Sequence, residues 1–229
     1  ALWATAAEVV AFGPSGATRF TASATGLQQT LVTGAPAIPL GPVSAFGREG
    51  DVEVAVVGTQ LFTKRTGGVP ASLALGAGAR SLEVGNGFAW VAGDDGLLRA
   101  IDLRDPARPK LEGAFPFAAD AVSVSGGAVW GGGAQGLLAM RVGPAAGAAA
   151  LGVRALSSPA AGVAIQRANA LVPAGGAGFL RIDVGRPSAL GVPAAVRMGS
   201  AARQVAQVGR DVVSLDGTSL SVQTEDAAG

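Results

Sequence analysis

The stretch Arg80-Ser81-Leu82-Glu83-Val84-Gly85-Asn86-Gly87-Phe88-Ala89-Trp90-Val91-Ala92-Gly93-Asp94-Asp95-Gly96-Leu97-Leu98-Arg99-Ala100-Ile101-Asp102-Leu103 decides the fold. Short apolar-rich runs are punctuated by turn residues, too closely for helices and at the right length for strands. Residues 80–86 read as a first strand and 88–92 as a second. Asp94-Asp95-Gly96 then supplies a tight turn, because Asp-Gly readily adopts the positive φ angles of a hairpin. Residues 97–103 form a third strand, Asp105-Pro106 breaks it, and 110–117 form a fourth.

The same unit recurs along the chain. A glycine opening an alternating strand stands at Gly16, Gly58, Gly96, Gly136, Gly178 and Gly217, so successive copies lie 38–42 residues apart. The fourth copy repeats the internal pattern over 121–125, 128–132, 136–142 and 149–155. Four short antiparallel strands in each period of about 40 residues are the mark of a β-propeller blade. The reading is therefore all-β: one domain over 1–229, a six-bladed β-propeller. Its repeats run approximately over 1–41, 42–79, 80–119, 120–158, 159–200 and 201–229. Leucine-rich and β-helix repeats are shorter, and helical repeats need faces that are missing. An outer-membrane barrel calls for longer strands and aromatic girdles, which a chain with no Tyr and 5% aromatics does not supply.

Within the third repeat, Gly96-Leu97-Leu98-Arg99-Ala100-Ile101-Asp102-Leu103-Arg104-Asp105-Pro106, followed by Arg108-Pro109, resembles the LVIVD repeat. Gly178-Phe179-Leu180-Arg181-Ile182-Asp183-Val184 is similar to it in part, and the fourth repeat keeps Gly136-Leu137-Leu138 but carries Val142 in place of the Asp. The resemblance implies a bacterial or archaeal propeller, secreted or attached at the cell surface.

Composition narrows the function. With 49% hydrophobic and 14% charged residues the chain is not intrinsically disordered. Its net charge is +1 and its densest basic cluster is Lys64-Arg65, so it lacks the concentrated footprint of a nucleic-acid binder. The longest charge-free stretches, 21–47 and 121–140, are broken by Pro or Gly, and no transmembrane helix is expected. The absence of Cys, His and Tyr removes thiol nucleophiles, Ser-His-Asp arrangements and imidazole metal sites. Paired carboxylates remain, but no spacing singles out a pair. Neither catalysis nor a cofactor is expected.

Five residues stand out as candidates for ligand binding. Arg19, Arg99 and Arg181 each fall three positions after a repeat glycine, in alternate repeats, and together would present a ring of charge to an anion or an acidic partner. The plainer reading is a solvated strand face, or pairing with a nearby carboxylate such as Asp102 or Asp183. Trp90 and Trp130 each sit six residues before a repeat glycine, so they either line a groove for a sugar or peptide or pack between blades. Asp94, Asp95, Asp102 and Asp105 raise a Ca²⁺ site, but hairpin and turn chemistry accounts for them, and no metal is expected.

Two functions are compatible with this inventory. The first is a non-catalytic binding or assembly module, a protein–protein scaffold in a surface or extracellular complex. The second is a small-ligand or carbohydrate-binding propeller. The register predicts that residues 1–6 form the innermost strand of the first blade. The last recognisable strand runs from Thr218 to Gln223 with six residues after it, so the fourth strand of that blade is expected from flanking chain or from a partner protein.

Overall fold

In a computed structural model, the described residues are 2–4, 8–13, 16–23, 26–30, 43–125, 127–143, 147–173, 178–196, 204–208, 211–215 and 220–224. They contain 23 strands and no helix. The first sheet joins β1 (Leu2–Ala4), β2 (Glu8–Gly13), β3 (Gly16–Ser23) and β4 (Gly26–Thr30). The second joins β5 (Val43–Glu49), β6 (Val52–Val57), β7 (Gln60–Arg65) and β8 (Ala71–Ala74). The third joins β9 (Ala79–Gly85), β10 (Phe88–Gly93), β11 (Leu97–Asp102) and β12 (Lys110–Pro116). The fourth joins β13 (Ala119–Ser125), β14 (Ala128–Gly133), β15 (Gly136–Gly143) and β16 (Gly147–Arg154). The fifth joins β17 (Ala164–Gln166), β18 (Asn169–Pro173), β19 (Phe179–Asp183) and β20 (Ala194–Val196). The sixth holds β21 (Gln204–Val208), β22 (Asp211–Leu215) and β23 (Leu220–Thr224) among the described residues.

Every sheet follows chain order, strand beside next strand, which is the up-and-down blade of a β-propeller. In the third and fourth sheets the expected strand boundaries hold to within about two residues. Asn86 differs: it belongs to the turn rather than the first strand, with φ at 58°. The turn glycines Gly58, Gly96, Gly136 and Gly178 all have positive φ, so the feature that reveals the repeat has a backbone cause. Gly217 lies outside the described residues.

The chain forms two compact units, one of Ala1–Asp95 with Arg99–Ala114 and the other of Gly96–Leu98 with Phe115–Gly229. In the first unit the opening strands of successive sheets adjoin, β1 to β5 and β5 to β9. In the second unit β13 adjoins β17 and β17 adjoins β21. The second strands of the third and fourth sheets are buried throughout: all six residues of β10 and all six of β14 are shielded from solvent. Outer strand β12 is instead exposed or half-buried throughout. Coverage from both sides explains why β10 and β14 lack the polar alternation of a one-faced strand.

Packing in the first unit joins the second and third sheets. Val54, Val56 and Leu61 meet Leu82, Val84, Val91 and Ile101 in one core cluster. The equivalent cluster in the second unit sets Trp130 and Leu137 against Val172, Ile182 and Val184. Full burial of each such Leu, Ile or Val contributes roughly 1.5–3 kcal/mol, so these contacts between sheets dominate cohesion within each unit.

Candidate functional site

The three candidate arginines occupy equivalent third strands of the first, third and fifth sheets, and the two tryptophans occupy the second strands of the third and fourth, so Trp90 and Arg99 share a sheet. Arg19 lies in β3 opposite Val10 and Thr30, and its side chain is outside the described residues. Arg181 lies in β19 opposite Leu171 and Ala194 and is half-buried. Arg99 lies in β11 and is only 6% exposed.

Arg99 is tied down locally. Its guanidinium forks onto Asp95, Nη1 to Oδ1 at 2.9 Å and Nη2 to Oδ2 at 2.5 Å. The Asp-Gly turn places Asp95 beside the strand that it has just reversed, so a residue four positions earlier in the chain becomes the partner. The bond to Asp95, reinforced by the charges of Asp95 and Asp94, raises the Arg99 pKa against the opposing effect of burial. A bidentate pair of this kind fixes a side chain and neutralises it.

The sequence expectation that Asp102 would pair with Arg99 is corrected. Asp102 instead accepts from the Arg104 backbone N–H at 2.9 Å and from its guanidinium, Nε at 2.9 Å and Nη2 more closely. Those bonds hold the Asp102 carboxyl below its ordinary range, the hydrogen bond from the Arg104 side chain being the main cause. Asp183, expected near Arg181, accepts from the Gly185 N–H at 2.9 Å. Along a strand, adjacent positions face opposite sides, so a carboxylate close in sequence need not share a face with the arginine.

These two aspartates sit in hairpins of the same build. Leu103 N–H donates to Gly87 O at 2.8 Å, and Val184 N–H donates to Ala168 O at 2.7 Å. Arg108 N–H donates to Asp105 O at 2.9 Å, and Ala189 N–H donates to Arg186 O at 2.8 Å. Each turn then grips the preceding sheet. The buried Thr63 hydroxyl of β7 donates to Pro106 O at 2.5 Å, and the Arg154 guanidinium of β16 donates to Leu190 O. A further latch joins the second and third sheets, where Glu49 accepts from the N–H groups of Asn86 at 2.8 Å and Gly87 at 3.0 Å. Sequence reasoning does not find Thr63, Arg154 or Glu49. An isolated Thr in the strand Gln60-Leu61-Phe62-Thr63 is the one available signal.

Trp90 and Trp130 are 1% and 2% exposed. They lie across from Glu83 in β9 and Ser123 in β13 respectively. Trp90 tilts against Phe88 with ring centroids 6.0 Å apart, and the Arg104 guanidinium stands 5.9 Å from the Phe88 centroid. Trp130 packs among Ala160, Val163, Ala170 and Val172, and its indole N–H is buried without an acceptor among the described residues. Glu83 stands apart chemically. Burial pushes its carboxyl up to about 7, so near neutral pH it is poised between its charged and neutral forms.

Among the described residues no three His, Cys, Asp or Glu side chains converge as a metal site, and no helix is long and apolar enough to cross a membrane.

The sequence matches no protein-family model and no curated protein. Solved structures are similar to it. The computationally designed Ika8 protein is 12% identical with a TM-score of 0.63, the match covering 98% of this chain and 83% of that one. BamB from Moraxella catarrhalis is also 12% identical, with a TM-score of 0.65, covering 98% of this chain and 69% of that one. The designed Ika4 protein is 13% identical with a TM-score of 0.52, over 65% of this chain and 91% of that one. At such identities the likeness establishes the fold and leaves function to the residues: this chain is an all-β propeller.

Proposed function

We propose that the chain is a non-catalytic binding or assembly propeller of LVIVD-like type, working at a cell surface or in an extracellular complex through its surfaces. The observation that carries this reading is the employment of Arg99 and Asp102. Both look chemical in sequence, and both are engaged by neighbours inside their own blade, Arg99 by Asp95 and Asp102 by Arg104. The lack of His, Cys and Tyr in the sequence supports the same reading. The carbohydrate alternative is less well supported, because Trp90 and Trp130 are too buried to offer a ring face to a sugar.

An assembly module needs an edge or a face. Among the described residues β23 bonds to β22 and to no further strand, whereas each of the other five sheets has four strands. An extended segment of a partner, or of flanking chain, would pair with the outer row of β23 N–H and C=O groups. Hydrogen exchange over residues 220–224 tests this. Weak protection in the isolated chain and strong protection in the native assembly are expected. Strong protection in the isolated chain would contradict the proposal.

A further inference from the structure

The third and fifth sheets present the same hairpin tip with different charges. In the third sheet the turn between β9 and β10 carries Asn86, and the following tip carries Asp102, Arg104, Asp105 and Arg108, a balanced set. In the fifth sheet Arg167 stands at the place of Asn86, Gly185 at that of Arg104, and Arg186 at that of Asp105. The two fifth-sheet turns abut, since Val184 N–H donates to Ala168 O at 2.7 Å and a Cβ on Gly185 would lie 3.5 Å from Ala168 Cβ. Arg167 and Arg186 flank that junction and both are exposed. Asp183, the acid of this tip, gives its carboxylate to Gly185 N–H.

A second observation sets Arg167 apart. Its φ is 48°, in the left-handed region, and Asn86 and Arg167 are the non-glycine residues found there among the described ones. Asn tolerates that region because its short side chain bonds locally, whereas a long side chain has no such compensation. Folding alone would favour Asn or Gly here. An exposed arginine at a turn position that suits Asn or Gly better points to a role outside the blade.

We infer that Arg167 and Arg186 form a docking point for an acidic segment of a partner protein, with carboxylates of an extended Asp- or Glu-rich peptide meeting the two guanidinium groups. Guanidinium presents a planar fork of donors that matches a carboxylate, and two such forks at one tip favour a segment with spaced acids. This rests on the reading of the chain as a binding module, and it names a partner chemistry that strand pairing to β23 does not supply.

The test uses the full chain and a fluorescein-labelled deca-glutamate peptide, read by fluorescence anisotropy at low and moderate salt. Wild-type protein is expected to bind the peptide in a salt-dependent way. Arg167→Asn combined with Arg186→Ala is expected to weaken binding at least about fivefold, with the fold retained because Asn suits the left-handed turn. Arg108→Ala, at the balanced third-sheet tip, is expected to leave binding unchanged. No peptide binding, equal binding by the double variant, or tighter binding of a single-stranded DNA decamer than of the peptide would each overturn the inference. The exchange behaviour of residues 220–224 tests the binding-module reading separately, so the two failures are distinguishable.

Discussion

The hydroxyl of Thr63 donates a hydrogen bond of 2.5 Å to the carbonyl of Pro106, joining the third strand of one sheet to the proline turn of the next. Thr63 is 1% exposed, so neither group has ready access to water as an alternative. Thr63→Val keeps the shape, removes the donor and leaves a buried carbonyl unsatisfied, at a cost of about 1–3 kcal/mol. A clear fall in melting temperature is expected for Thr63→Val and a smaller one for Thr63→Ser, both read by calorimetry. Equal melting temperatures for all three proteins would show that this latch contributes nothing to stability.

The repeat glycines differ in how tightly they are held. A Cβ on Gly136, at φ 107°, would run into the Arg154 carbonyl oxygen, whereas on Gly96, at φ 78°, it would meet nothing nearer than Ala118 Cβ at 3.8 Å. Gly96→Ala then carries backbone strain of roughly 1–2 kcal/mol. Gly136→Ala adds a clash with backbone, about 1–3 kcal/mol more. Denaturant unfolding of the two variants is expected to rank them in that order.

Much of the fold is legible in the sequence, and the limits have physical causes. Turn chemistry at Asp94-Asp95-Gly96 and short apolar runs between turn residues locate the strands of the third and fourth sheets, because both signals are local. Asn86 is legible as a turn residue, since Asn-Gly is as direct a hairpin signal as Asp-Gly, and placing it in the strand overlooks that signal. The partner of Arg99 is hidden because the hairpin, rather than the strand, brings Asp95 to it. Bonds such as Thr63 to Pro106 and Arg154 to Leu190 are not legible, since they depend on how one repeat seats against the next.

Glu83 makes stability depend on pH. Its carboxyl has an ordinary value of 4.5 and is pushed up to about 7 by burial, so the folded state binds more protons between those values. Its stabilising contribution is full below pH 4.5 and is lost as pH rises through about 7. The swing is up to about 3 kcal/mol. Glu83→Gln is expected to flatten the stability profile between pH 4.5 and 7, as measured by urea unfolding across that range. An unchanged slope in the variant would assign the dependence to other groups.

Trp130 places a large ring in the core at the cost of a buried N–H without an acceptor among the described residues. Trp130→Phe loses area but also removes that orphan donor, so a loss below about 1.5 kcal/mol is expected. Trp130→Ala is expected to cost about 3–5 kcal/mol. Chemical denaturation distinguishes the two, and a Phe variant as unstable as the Ala variant would show that the indole nitrogen is satisfied in solution.

Arg99 resembles a ligand contact in sequence and is tied to Asp95 within its own blade, and this pair is the one on which its role can be decided. A double-mutant cycle with Arg99→Met and Asp95→Asn, read by equilibrium unfolding, is predicted to give a coupling energy of about 1–2 kcal/mol. Partner capture by each variant is predicted to match wild type at temperatures where it remains folded. A coupling near zero, together with capture lost in Arg99→Met while the fold persists, would contradict the structural role and return Arg99 to binding.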